Sequence, residues 1–186
     1  ESGTIWLDPK KTSPYAFYQF WLSTADADVY KFLKFFTFLS AEQIDEIEEA
    51  DKASGTRPQA QGILAKQVTE LVHGEQGLTA AVRISEALFS GDIASLTDED
   101  LKQLELDGLP CTVVAADGIG IVEVLVATEL AKSNKMAREF IGNNAVSVNG
   151  QLVDSQEYRF SAEKALQSQY FVLKRGKKLF HLVKLG

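Results

Sequence analysis

Apolar positions repeat at helical spacing over most of the first hundred residues. Val29, Phe32, Leu33 and Phe36 fall at i, i+3, i+4 and i+7, with Lys31 and Lys34 off that face, which predicts an amphipathic helix. Upstream, Ser13-Pro14 offers a capping hydroxyl and a proline for the first helical position, ahead of Phe17, Phe20, Trp21 and Leu22. These aromatics read as core rather than as a stacking platform. Ser40 to Gln43 reads as a capping box opening a third helix, buried through Ile44 and Ile47 and acidic on its wet face. After a loop at 53–58, Leu64, Val68, Leu71 and Val72 mark a fourth helix ended at His73-Gly74. His73 falls in its last turn, where the helix dipole favours a cation, a structural rather than a catalytic role. Leu78, Ala81, Ile84 and Leu88 mark a fifth helix, stopped at Ser90-Gly91. Thr97 to Asp100 caps a sixth, with Leu101 and Leu104, ending near Gly108-Leu109-Pro110.

The pattern then changes. Ile119 to Leu130 reads as a helix, and Ser133 caps a short one whose Ala137, Phe140 and Ile141 share a face. Asn143 or Asn144 takes the left-handed turn that ends it. Val146 to Val148 is a strand running into Asn149-Gly150, a strong hairpin signal. Tyr170 to Lys174 and Leu179 to Lys184 are strands around Arg175-Gly176-Lys177-Lys178. The expected fold class is therefore multi-domain, α and α+β: a connector at 1–12, an all-α helical bundle at 13–108, a joint at 109–118 and a small α+β domain at 119–186.

Composition narrows the function classes. With 45% apolar and 24% charged residues the chain is globular. No apolar run reaches the roughly 18–20 residues of a membrane span, and no signal peptide is visible. The single cysteine, Cys111, excludes an intramolecular disulfide and points to a reducing, cytoplasmic compartment. Charge is unevenly spread: residues 119–186 hold ten Lys and Arg against six Asp and Glu, whereas 1–118 hold nine against twenty. A basic module is thus joined to an acidic one. In the basic module Lys135, Arg138 and Asn134 lie on the wet side of the short helix, beside the hairpin. Such a scaffold suits a folded RNA backbone, recognised by shape and phosphate position. Lys174, Arg175, Lys177 and Lys178 point the same way, although a solubilising loop is the other reading. No catalytic or metal-ligating cluster stands out.

Ser133-x-x-x-Ala137-Arg138, a turn, and Val146-Ser147-Val148-Asn149-Gly150 resemble the S-four-like RNA-binding fold, with Glu139 standing where a basic residue is frequent. A closer likeness covers essentially the whole chain. Trp6 to Tyr15, Phe17 to Trp21, Thr24 to Val29, Phe35 to Ser40, Leu71 to Glu75, Ala87 to Gly91 and Arg175 to Lys178 resemble bacterial tyrosyl-tRNA synthetases. That resemblance implies the C-terminal tRNA-binding part of a class I tyrosine–tRNA ligase, cut just after the active-site lysine loop. Lys132-Ser133-Asn134-Lys135-Met136 only mimics that loop. The fragment should need no cofactor and carry no catalytic or metal-binding residue; ATP and Mg are expected of the full-length enzyme.

The resemblance further implies that the helical domain approaches the anticodon with Asp26 and Asp28, Asp26 being favoured for the first base. An ordinary helix-start role for both aspartates stays open. The C-terminal module would hold the long variable arm of tRNA(Tyr) through Lys135, Arg138, Arg175, Lys177 and Lys178. Ser133, Asn149 and Lys174 complete the expected RNA-binding set. The implied partner is tRNA(Tyr), with no DNA and no membrane. The fragment should be a monomer and the full enzyme a homodimer through its catalytic domain. The rival readings are a free-standing S-four-like RNA-binding or ribosome-associated protein, and a helical protein-interaction module with an incidental basic tail.

Overall fold

Seven α-helices precede and interleave with a five-stranded sheet in the computed structural model, which describes residues 4–55, 58–115 and 118–186. Residues 1–3 of the expected connector, 56–57 of the expected loop and 116–117 of the expected joint lie outside the described residues. The chain divides into two compact units, Glu1–Arg83 and Ile84–Gly186.

In the first unit, α1 (Pro14–Leu22) starts as its chemistry requires, with Ser13 Oγ accepting from Ala16 N at 3.1 Å and Pro14 in the first turn. α2 (Asp26–Phe36) follows, and α3 (Ala41–Ala53) opens on both arms of the capping box. The expected fourth and fifth helices run on as one span, α4 (Ala60–Ser90), interrupted at Gly74. That residue has φ 70° and ψ 177°, a conformation open to glycine because it has no Cβ. Phe17, Val29, Leu33, Ile44, Ala60, Leu64 and Val68 form the core.

Not every expected core aromatic is buried. Phe20 and Phe36 are exposed and, with Phe35, Phe38, Leu7 and Leu71, line an open groove of about 640 Å³. His73 also differs from expectation: it packs edge-on against Phe17 at 4.8 Å, and burial pushes its pKa down, so the ring is held neutral.

Asp51 fastens α2 to the start of α4. Its carboxylate accepts from Gln59 N at 2.7 Å, Ala60 N at 3.1 Å and the Tyr30 hydroxyl at 3.0 Å. Burial, followed by this bond, pushes the Tyr30 phenol up to about 12, so it stays a donor. Losing a cap costs about 1 kcal/mol, and losing the bond to the half-buried Tyr30 hydroxyl about 1 more, toward 3 if water cannot replace it. Asp51→Ala is therefore expected to lower stability by roughly 2–4 kcal/mol in urea unfolding.

The second unit contains the end of α4, a 3-10 turn (Ile93–Ser95), α5 (Asp98–Gln103) and a π-turn (Leu104–Gly108). β1 (Cys111–Val114), α6 (Ile121–Ala127), α7 (Asn134–Gly142), β2 (Val146–Val148), β3 (Gln151–Leu152), β4 (Tyr170–Arg175) and β5 (Leu179–Leu185) complete it. The sheet order is β1-β5-β4-β2-β3, antiparallel except for the β1–β5 pair. Ile121, Val124, Leu125, Ala137 and Ile141 pack on Phe171, Leu173 and Val183 to form its core.

Two features differ from the sequence reading. The expected joint carries a strand, since Cys111 to Val114 register against Leu182 to Leu185. Segment 84–108, expected within the helical bundle, groups with the sheet. Glu105 binds the Tyr170 hydroxyl through Oε2 and Lys184 Nζ through Oε1 at 2.7 Å. Lys184 first and Tyr170 second hold the Glu105 carboxyl below its ordinary value. A depressed carboxyl contributes stability above the usual carboxylate range and loses it as pH falls through the folded-state value. Glu105→Gln is expected to flatten the acid limb of stability against pH below about 4.5, as followed by thermal unfolding.

Candidate nucleic-acid interface

Ser133 Oγ accepts from Met136 N at 3.3 Å and so caps α7. Ala137 and Ile141 are buried, which turns Lys135 and Arg138, three positions apart, to solvent along one side of the helix. The helix ends through Asn144 at φ 54°, which decides between the two asparagines. Asn149 and Gly150, at φ 50° and 80°, form the two-residue turn between β2 and β3.

The β4–β5 turn lies beside the end of α7. Val146 registers against Arg175, and Gly176 N donates to the Ala145 carbonyl at 2.8 Å. Arg175 sits over the Phe140 ring at 4.9 Å and donates from Nη1 to the Leu130 carbonyl at 2.8 Å. Phe140, Ala145, Arg175, Lys177, Lys178 and Leu179 border a shallow depression of about 370 Å³. Lys177 and Lys178 are exposed there. Among the described residues Lys135, Arg138, Lys177 and Lys178 make no ion pair. Exposed cations left unpaired keep their full attraction for phosphate.

Other candidates are occupied by the fold. Lys174 lies over its cross-strand neighbour Phe180 at 5.1 Å. Asn149 sits at the far end of β2 from the Arg175 turn. Its Oδ1 accepts from Val172 N at 2.9 Å and its Nδ2 donates to the Lys164 carbonyl at 3.3 Å. Arg175 likewise braces α7 as much as it presents charge. Sequence reasoning missed this brace, because Leu130 and Phe140 become its neighbours only in three dimensions.

In the first unit, Asp26 and Asp28 are exposed in the first turn of α2, whose N-cap Ala25 offers no side-chain bond. Asp26 Oδ1 accepts from Gln61 Nε2 at 2.6 Å. Carboxylates here favour the helix start and can also accept from imino and amino hydrogens of an unstacked base. Among the described residues no group of three or more His, Cys, Asp and Glu side chains is placed to hold a metal. No described helix is long and apolar enough to cross a membrane.

Comparison with known proteins bears on both units. Residues 1–90 match the family model for class I tRNA synthetases (W and Y), and residues 100–183 match that for the tyrosine–tRNA ligase SYY-like C-terminal domain. Tyrosine–tRNA ligases of Aliivibrio fischeri strain MJ11 and Laribacter hongkongensis strain HLHK9 are 66% and 57% identical over 98% of this chain. The chain spans 43% of the length of either relative. Among solved structures, a tyrosyl-tRNA synthetase C-terminal domain in solution is 36% identical, covering 54% of this chain and all of its own, with a TM-score of 0.43. A truncated mitochondrial tyrosyl-tRNA synthetase of Aspergillus nidulans is 38% identical over 48% of this chain and 25% of its own, with a TM-score of 0.44. On the sequence matches, which together reach both units, the chain belongs to the tyrosine–tRNA ligase family and corresponds to its C-terminal part.

Proposed function

We propose that this chain is the tRNA(Tyr)-gripping part of a tyrosine–tRNA ligase. Asp26 and Asp28 in the helical part read the anticodon, and the module from Ile119 onward holds the variable arm. The observation that carries this reading is the set of unpaired cations, Lys135, Arg138, Lys177 and Lys178, on a hairpin module inside an otherwise acidic chain. Phosphate neutralised by those cations releases counterions, which gives affinity without base specificity. Asp26 supplies what they lack, an acceptor for a guanine's Watson–Crick edge at the first anticodon position.

The bond chemistry, with ATP and Mg, belongs to the remainder of the ligase, as does its homodimer contact; the chain itself acts as a monomer in the cytoplasm. Its contribution to rate is orientation of the tRNA, and orientation can lower a barrier by about 7 kcal/mol or more in favourable cases. The free-standing RNA-binding reading is disfavoured because the synthetase match extends through the helical part.

A chemical footprint of the chain on tRNA(Tyr), with and without the variable arm, tests the proposal. Protection is expected at the anticodon loop and along the arm, and removal of the arm should abolish only the second. A footprint indifferent to the arm would overturn the assignment of the C-terminal module.

A further inference from the structure

Gln61 lies in the first turn of α4 with 7% of its surface exposed. Its Nε2 donates to Asp26 Oδ1 at 2.6 Å and lies 3.5 Å from the Thr24 carbonyl oxygen. Both neighbours are acceptors only, so the nitrogen end of the amide must face them. The other end, Oε1, is buried without a hydrogen-bond partner. A dry acceptor is unfavourable, so the amide holds this orientation through its bond to the carboxylate.

The frame around Gln61 is fixed. Asp51 accepts from the two N–H groups just before it, at Gln59 and Ala60, and from Tyr30, one turn beyond Asp26 on α2. A buried amide on a fastened helix end thus grips a carboxylate on an exposed one. Apart from Gln61, Asp26 has no side-chain hydrogen-bond partner among the described residues.

We propose that Gln61 is a positioning residue for anticodon recognition: it fixes the Asp26 carboxylate through Oδ1 and leaves its remaining acceptor capacity to a guanine. This rests on the reading of Asp26 given above. An exposed aspartate would otherwise sample several rotamers, and that freedom would be lost on binding; a bond made beforehand removes the loss. Being neutral, the amide also leaves the carboxylate's charge for the base, as a lysine at the same place would not.

The test uses the 186-residue chain and anticodon stem–loop RNAs with guanine or inosine at the first anticodon position, inosine lacking only the 2-amino group. Asp26→Ala should reduce the guanine-over-inosine affinity ratio by roughly ten- to a hundredfold, as expected for loss of a bond to a charged group. Gln61→Leu and Gln61→Met should each reduce it comparably and add nothing in the Asp26→Ala background. Lowered affinity for both RNAs alike in the Gln61 variants, or an unchanged ratio there while Asp26→Ala collapses it, overturns the role of Gln61 alone. An unchanged ratio in Asp26→Ala overturns the reading of Asp26 and this inference with it.

Discussion

Replacing Gly150 by alanine is expected to lower the unfolding midpoint of the sheet unit by roughly 12–24 °C, taking about 3 kcal/mol at 4–8 °C for each. A Cβ on Gly150 would stand 2.0 Å from the Gly91 carbonyl oxygen and 3.1 Å from its carbon. Backbone cannot swing aside as a side-chain tip can. Overpacking of this kind costs about 1–3 kcal/mol, and an L-residue at the left-handed φ of 80° adds about 1–2. The hairpin turn is thereby pressed against the segment after α4, within one unit. Far-UV circular dichroism follows the loss. Both tryptophans, Trp6 and Trp21, belong to the first unit, so their fluorescence reports that unit separately. A midpoint shift of only a degree or two would show that the Gly91 backbone yields.

The second large effect concerns RNA. Combined replacement of Arg138, Lys177 and Lys178 by alanine is expected to weaken tRNA(Tyr) binding on the order of a hundredfold near 0.1 M salt. Each lost phosphate contact removes about 0.7–0.9 from the slope of log affinity against log salt, so the slope should flatten by roughly 2 to 3. None of these side chains forms an ion pair or supports the core in the described structure, so stability should hold. Asp26→Arg offers the contrast: it alters base recognition without flattening the slope. A triple variant with the parent's salt dependence would show that the cations do not meet phosphate.

Local chemistry was legible before the fold. Ser13-Pro14, the Ser40 capping box, the Thr97 cap and the Asn149-Gly150 turn each act over a few residues, and each stands where the pattern places it. β1 was not legible: Cys111 to Val114 is four residues long, follows a proline, and is a strand only because β5 lies alongside. The separations defeat inspection elsewhere too. Glu105 meets Lys184 across 79 positions, and Gln61 meets Asp26 across 35. The candidate cations were visible as charge, but which of them are engaged by the fold was not. Arg175 is braced on Leu130 and Phe140, and Lys174 covers Phe180, for reasons that reside in tertiary neighbours.

The parallel β1–β5 pair also governs how fast the molecule matures. Thr112 and His181 touch across 69 positions, so the sheet cannot close until a long loop has been brought round. The hydrogen bonds that tie the helices of the first unit close shorter loops, 35 positions for Gln61 and Asp26 and 21 for Tyr30 and Asp51. Rapid-mixing experiments should accordingly resolve a quick burst of helix, followed by a slower step when the early strand finds the late one.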